Sequence, residues 1–344
     1  MNKLPPTQII TAKYADLVME GGGVKAAGLI GAVEALYEQG YQFPRIAGAS
    51  AGAIVGALLA AGMPPPEARK LLTGLSFRRF RDPTLWSRLG PGPLGQAASI
   101  LFTRGIHRGH VLQSWMADQL ATYNVRTFKN LRITEEWAHK LPPAQRYKLV
   151  VIVADIGRGR LLRLPWDYHL LGRDPDTQLV ADAVRASTSI PFFYQPVKLG
   201  STLLVDGGLL SNFPVDTFDA YPSEPSWPTF GIKLSAKEDA NMVSNNFHGP
   251  FGFPLALLDT LVNAYDQVHL DDPAATSRTI FVDTGKIKAT DFSLTRAGRE
   301  ALRVKGKAAA SQFLTSWDYG AYLKTYVQPR LQAAAAAIGQ KNSG

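Results

Sequence analysis

The 344-residue sequence contains no cysteine. Disulfides, thiolate nucleophiles and cysteine-ligated zinc are therefore excluded, while the redox compartment is left open. Long apolar runs are missing as well. No stretch of about 18 residues is free of charges and turn formers, and the richest, Ile46 to Met63, is full of glycine and alanine, so no membrane-spanning helix is expected. The segment from Met1 to Tyr14 holds lysine and Pro5-Pro6 but no continuous apolar run, which does not read as a secretory signal and points to a cytoplasmic location. Charged residues are few, at 19%. The six histidines show no H-E-x-x-H spacing, so no metal site is expected.

What charge there is leans positive. A net +9 at pH 7 favours contact with polyanions, either nucleic acid or an anionic membrane surface. The apolar fraction of 46% is ordinary, and the length supports one large α/β domain carrying insertions. That domain is expected to run over 10–338, with a cap at about 77–108 and a helical C-terminal part at about 290–338.

Residues Ala15 to Met19 form a short apolar run ending at Glu20 and three glycines, the pattern of a buried parallel strand. Val24 to Gln39 then shows helical periodicity and stops at Gly40. The unit repeats: a strand over Arg45 to Gly48, a small-residue turn, and a helix over Ala53 to Ala61 stopped by Gly62 and Pro64 to Pro66. Two consecutive strand-turn-helix units imply a parallel sheet with right-handed crossovers. The fold expected is a three-layer α/β/α sandwich with a central, mostly parallel sheet. Further strands are expected at Lys148 to Ala154, Leu161 to Leu164, Thr202 to Val205, Thr229 to Leu234 and Thr279 to Val282. Further helices are expected at His110 to Ala121, Val180 to Ser187, Leu255 to Leu270, Arg296 to Leu314 and Tyr319 to Ala337.

Three constellations carry chemistry. Glu20-Gly21-Gly22-Gly23-Val24-Lys25 lies between a strand and a helix, where backbone N–H groups can hold an anion. Gly21-x-Gly23-x-x-Ala26 also fits a dinucleotide fingerprint, but the acidic residue that fingerprint wants ~20 residues on is absent, since the second strand ends in Gly48-Ala49-Ser50. Gly48-Ala49-Ser50-Ala51-Gly52 matches G-x-S-x-G in a strand-to-helix context, the setting of a nucleophile elbow. Asp206-Gly207-Gly208 follows the apolar run Leu203-Leu204-Val205, which puts a carboxylate at a strand end. Alone, the second also reads as a small-residue turn packing a helix on the sheet, and the third as an ordinary Asp-Gly turn. Together they supply the oxyanion site, nucleophile and base of an acyl transfer at one end of a sheet.

The order G-G-G-x-K, G-A-S-A-G and D-G-G resembles the patatin-like phospholipase family. The similarity extends through Ala186 to Phe193 and Asp206 to Pro214, and covers about Ala15 to Leu234. What the resemblance implies is a Ser-Asp dyad that hydrolyses acyl esters of glycerolipids without histidine, metal or cofactor. By it Ser50 is the nucleophile, Asp206 the base, the backbone of Gly21, Gly22 and Gly23 the oxyanion hole, and Lys25 a basic residue for substrate. Gly48, Gly52, Gly207 and Gly208 shape the two turns. The sequence departs from the family at Ala26, where glycine is usual, which leaves open the choice of N–H groups facing the oxyanion. Rivals are a transacylase on the same dyad, an idle lipid- or partner-binding module, and a Ser-Asp-His triad using His248 or His269.

From Phe77 to Arg108 six arginines face one aspartate, with Phe80, Trp86, Leu94, Ile100, Leu101 and Phe102 interleaved. No nucleic-acid module is recognisable. The mixture fits an anionic lipid interface, where cations find headgroups and apolar side chains enter the boundary. A peripheral contact with membrane phospholipid is expected, and no nucleic-acid partner.

Overall fold

Apolar runs with no polar face become strands buried on both sides, and this rule lays out the protein. A computed structural model describes residues 13–89, 93–219, 224–234, 272–289 and 291–341. The helix expected over Leu255 to Leu270, the phenylalanine-rich loop Asn241 to Pro254, and His248 and His269 lie outside the described residues.

In chain order the elements are β1 (Lys13–Tyr14), β2 (Asp16–Met19), α1 (Ala26–Glu38), β3 (Tyr41–Gln42), β4 (Ile46–Ala49), α2 (Ala51–Ala60) and α3 (Pro65–Gly74). Then come α4 (Leu85–Leu89), α5 (Pro93–Thr103), β5 (Gly105–His107), α6 (His110–Ala121), β6 (Leu149–Asp155), β7 (Arg160–Leu164) and α7 (Val180–Ser187). The chain continues through β8 (Phe192–Tyr194), β9 (Val197–Leu199), β10 (Thr202–Asp206), β11 (Thr229–Lys233), β12 (Thr279–Phe281) and the long α8 (Arg296–Ser316).

The main sheet has the order β12-β11-β2-β4-β6-β10-β9, with β7 also paired to β6. Pairings from β12 across to β6 are parallel, and those of β6 with β7 and β10, and of β10 with β9, are antiparallel. Helices flank this mixed, mostly parallel sheet, as a three-layer α/β/α sandwich requires. Strands β2, β4 and β6 are buried along their whole length, as expected of strands covered on both faces.

One feature of the register brings the site together. Ile152 of β6 pairs with Ala49 of β4 on one edge and Arg163 of β7 on the other. The next residue, Val153, pairs with Asp206 of β10 and Leu162 of β7. Strands β4 and β10 therefore share one edge of β6 and meet there end to end. The expectation from sequence, that nucleophile and carboxylate leave the same end of a parallel sheet, is corrected: β10 runs against β4, and their C-terminal ends converge beside Val153.

Other boundaries shift for physical reasons. Pro64 to Pro66 end nothing beyond α2, because Pro65 and Pro66 occupy the first turn of α3, where proline is tolerated. The helix expected over Tyr319 to Ala337 is interrupted by a π-helical turn at Leu323–Val327. Strand β9 was not expected. In the segment expected to form a cap, Phe77 and Phe80 are buried in the core. The remainder forms the helical pair α4 and α5. Buried Ser99 of α5 donates to the Gly105 carbonyl at 2.7 Å and lies against the Thr84 hydroxyl, which fixes the pair to its base. Strand β5 then pairs with β8, tying this helical pair to the segment that precedes β10.

Candidate active site

Ser50 occupies the single residue between β4 and α2, at φ 48° and ψ −115°. A side chain rarely adopts that backbone, and strain of this kind is held only where the surroundings enforce it. Here they do so through close packing. A Cβ on Gly48 would lie 2.3 Å from the Gly52 carbonyl carbon, and one on Gly52 would lie 2.3 Å from the Met19 carbonyl oxygen. Only glycine fits at both positions, so the motif glycines are steric requirements of the elbow.

The Ser50 N–H donates to the Ser187 hydroxyl at 2.9 Å, and that hydroxyl donates to the Ile152 carbonyl at 2.7 Å. Ser187, at the end of α7, thus pins the elbow to β6. Ser187→Ala would leave a buried N–H without an acceptor, at a cost of roughly 1–3 kcal/mol. The expected result is a lowered melting temperature together with a fall in kcat of tenfold or more at nearly constant KM. Steady-state kinetics on a short-chain ester would check it, and an unchanged kcat would reduce Ser187 to a packing residue.

Asp206 is the last residue of β10 and caps the short turn Gly207–Leu209. Its carboxylate accepts from the Gly208 N–H at 2.9 Å. Burial raises its pKa from 3.8 to about 7, against the lowering influence of the Gly208 N–H and of the nearby Ser50 hydroxyl. A Cβ on Gly207 would lie 2.4 Å from the Ile152 carbonyl oxygen, so the turn fits against β6 only without a side chain. Among the described residues no histidine hydrogen-bonds Ser50 or Asp206; His169, for instance, uses Nδ1 on the Trp166 carbonyl.

The glycine loop packs directly over the elbow: a Cβ on Gly21 would come within 3.1 Å of the Ser50 Cβ. Its three N–H groups are not equivalent. Gly21 N–H donates to the Asn212 carbonyl at 3.1 Å, while Asn212 Nδ2 donates back to the Gly21 carbonyl at 3.1 Å. The Gly21 N–H is therefore consumed, which corrects its expected part in the oxyanion hole. The N–H groups of Gly22 and Gly23 have no acceptor among the described residues, and Gly23 takes φ +52°. Lys25 ends the 3-10 turn Gly23–Lys25, half-buried at the entrance to α1.

The family model described as patatin-like phospholipase matches residues 17–219, a span that contains the elbow, the glycine loop and Asp206. The chain belongs to the patatin-like phospholipase family. It is 35% identical over 310 residues to the uncharacterized protein YqhO of Bacillus subtilis, covering 89% of this chain and 100% of that one. An uncharacterized NTE family protein of Mycobacterium tuberculosis is 27% identical over 319 residues, covering 87% of this chain but 47% of its own length. The chain thus spans about half of that mycobacterial relative. Among solved structures, VipD from Legionella pneumophila shares the fold, with a TM-score of 0.51 at 20% identity over 89% of this chain and 67% of that one.

In this patatin-like chain, sequence reasoning overlooked the residues that hold the motifs in place. Asn212 closes the glycine loop. Glu20 accepts from Lys233 Nζ at 2.6 Å, from Asn212 Nδ2 at 3.3 Å and from the Leu234 N–H, so it clamps the end of β2 to the end of β11. Ser187 holds the elbow. The signal available for Ser187 and Asn212 was their place inside the blocks Ala186 to Phe193 and Asp206 to Pro214, where small polar residues sit among apolar neighbours.

Proposed function

We propose that the protein is a serine lipid-acyl hydrolase in which Ser50 attacks the ester carbonyl and Asp206 takes the Ser50 proton. The observation that carries this reading is a strained elbow serine near enough to a buried carboxylate to lower its pKa, with no histidine joined to either among the described residues. An ordinary exposed aspartate is a poor base for an alcohol. Raising its pKa to about 7 brings it into the range where a general base works near neutral pH.

In the first half-reaction the Ser50 Oγ–carbonyl bond forms, and Gly22 and Gly23 N–H groups stabilise the oxyanion. The C–O bond to the lipid alcohol then breaks, and Asp206 returns its proton to the departing oxygen. In the second half-reaction water attacks the acyl-serine, Asp206 takes the water proton, and the fatty acid leaves as Ser50 Oγ is reprotonated. One preorganised oxyanion donor is typically worth ~3–4 kcal/mol, so the glycine loop supplies a large share of the rate. The N-terminus of α2 beneath Ser50 adds a favourable field for the same charge.

The membrane is reached through the cap. Leu94, Leu101 and Phe102 are 72%, 77% and 62% exposed, and Trp86 stacks on Phe102 with ring centroids 4.8 Å apart. Exposed Arg78, Arg79, Arg81, Arg88, Arg104 and Arg108 lie in the same segment. An apolar ridge within a cationic segment complements an anionic bilayer, and its base is tied by β5 and β8 to the chain leading into Asp206. No helix among the described residues is long and apolar enough to cross a membrane.

A fluorophosphonate probe tests the nucleophile. Peptide mapping is expected to find the label on Ser50 alone, lost in Ser50→Ala and strongly slowed in Asp206→Asn. Phospholipid hydrolysis that persists in Ser50→Ala would overturn the assignment.

A further inference from the structure

A cavity of about 230 Å³ opens between α6, α7 and β9, with Arg108, His110, Gln113, Asp182, Arg185 and Lys198 on its walls. Neither Ser50 nor Asp206 lines it, so it is separate from the hydrolytic centre. It is also smaller than the ~300 Å³ at which sites for drug-sized ligands begin. Its charge is lopsided: two arginines and a lysine stand against one carboxylate. That carboxylate, Asp182, is held by Gln113 Nε2 at 2.7 Å and pairs with none of the three cations.

Arg185 is the unusual member. It is only 4% exposed, yet its guanidinium reaches no carboxylate among the described residues. One terminal nitrogen donates to the Ser189 hydroxyl, the other to the carbonyls of Arg108 and Gln195, and Nε has no partner. The nearby acidic residue, Asp82, is engaged elsewhere, accepting N–H groups of Gly109 and His110 at 2.7 Å each. Burial outweighs the attraction of Tyr194 and Asp82 and lowers the Arg185 pKa to about 10. A buried cation left unpaired is costly, and a bound anion relieves that cost. The exposed side chains of Arg108 and Lys198 at the rim can close over such an anion with charge-assisted hydrogen bonds.

We propose that this cavity binds a phosphate group, with Arg185 as the fixed charge in its wall and Arg108 and Lys198 as the mobile donors. Its position gives occupancy a route to the dyad. Ser189, which receives the Arg185 hydrogen bond, offers its carbonyl to the Asp206 N–H at 3.0 Å. Arg185 also holds the Arg108 carbonyl, where the cap segment returns to the body. The phosphate can come from a free phosphate compound or from a lipid headgroup, and two arms of one experiment separate these sources.

Both arms use Ser50→Ala protein, so that lipid is not consumed and the result does not depend on the hydrolase reading. In the first, inorganic phosphate is titrated at constant ionic strength while the melting temperature is followed. A saturable rise is expected, with its midpoint shifted at least tenfold in Arg108→Gln/Lys198→Gln. In the second, co-sedimentation compares phosphatidate with phosphatidylserine vesicles at matched surface charge. A preference for phosphatidate that the double variant loses marks the headgroup as the source. Lys305→Gln/Lys307→Gln, on α8, controls for net charge. Arg185→Lys, if it folds, should weaken binding in the same arm. If neither arm shows saturable or phosphate-selective binding, or if the control pair loses as much as the rim pair, the proposal is overturned.

Discussion

Asp206→Asn is expected to lose hydrolysis by a hundredfold or more and yet to melt at a higher temperature than the parent protein at about pH 8. The two effects have one origin. The Asp206 carboxyl has a folded pKa of about 7 against an ordinary value of 3.8, chiefly because burial disfavours its charge. Between these pH values the folded chain keeps a proton that the unfolded chain has released, so stability falls as pH rises through that window. The full penalty is present above about pH 8 and absent below about pH 4. Three pH units correspond to roughly 4 kcal/mol, and an amide removes it while still accepting the Gly208 hydrogen bond. In a chain of this size that is a gain of several degrees. Hydrolysis by the parent protein should rise with pH through about 7, as the base ionises. Calorimetry at about pH 8 and pH 4 would show the stabilisation appear and vanish. A variant that melts lower at the alkaline pH, or keeps more than about a hundredth of the turnover, a loss below ~2.7 kcal/mol, would remove Asp206 from the role of buried base.

The elements of this site differ in how far the sequence reveals them. Gly48, Gly52 and Gly207 were legible because close backbone approach leaves no alternative to glycine, and steric exclusion is written into residue identity. Ser50 and Asp206 were legible as single polar residues at the ends of apolar runs. The direction of β10 was not, because an apolar run such as Leu203-Leu204-Val205 reads the same in a parallel or an antiparallel strand; only the pairing with β6 decides. The fate of the Gly21 N–H was equally hidden, since it depends on Asn212, which is 191 positions away in sequence. The burial of Phe77 and Phe80 was hidden for a related reason. Phe77 and Phe80 stand among arginines, and composition alone joins them to the exposed aromatics, whereas packing puts them in the core beside Trp115. Tyr194 reinforces this by donating its hydroxyl to the Phe80 carbonyl at 3.2 Å.

The buried phenylalanines and exposed ridge of the segment 77–108 allow the two forces of the proposed docking to be separated. Leu101→Ser/Phe102→Ser is expected to weaken binding to anionic vesicles by about two orders of magnitude at every salt concentration. These side chains are mostly solvent-exposed, and burying a large apolar side chain is worth ~1.5–3 kcal/mol. Being exposed, they can be changed at little cost to the fold. Arg78→Gln/Arg79→Gln/Arg81→Gln is expected to cause a similar loss at low salt only, at ~1 kcal/mol for each cation near the surface. At ~1 M salt, screening shortens the reach of those charges to about 3 Å, and the arginine variant should then bind as the parent does. Arg81 differs from Arg78 because its guanidinium lies over the Phe292 ring, 5.3 Å from the centroid. Phe292 stacks in turn on Phe193 at 4.7 Å. Restoring Arg81 alone should therefore recover more vesicle binding than restoring Arg78, because it restores a cation and also its contact with Phe292. Turnover of a soluble short-chain ester should stay near the parent value in the serine pair, since that chemistry needs only the elbow, the glycine loop and Asp206. Co-sedimentation and paired assays across a salt series would test this. Equal losses on vesicles and on the soluble ester, or a serine pair that binds as well as the parent, would make the ridge a structural surface with no part in docking.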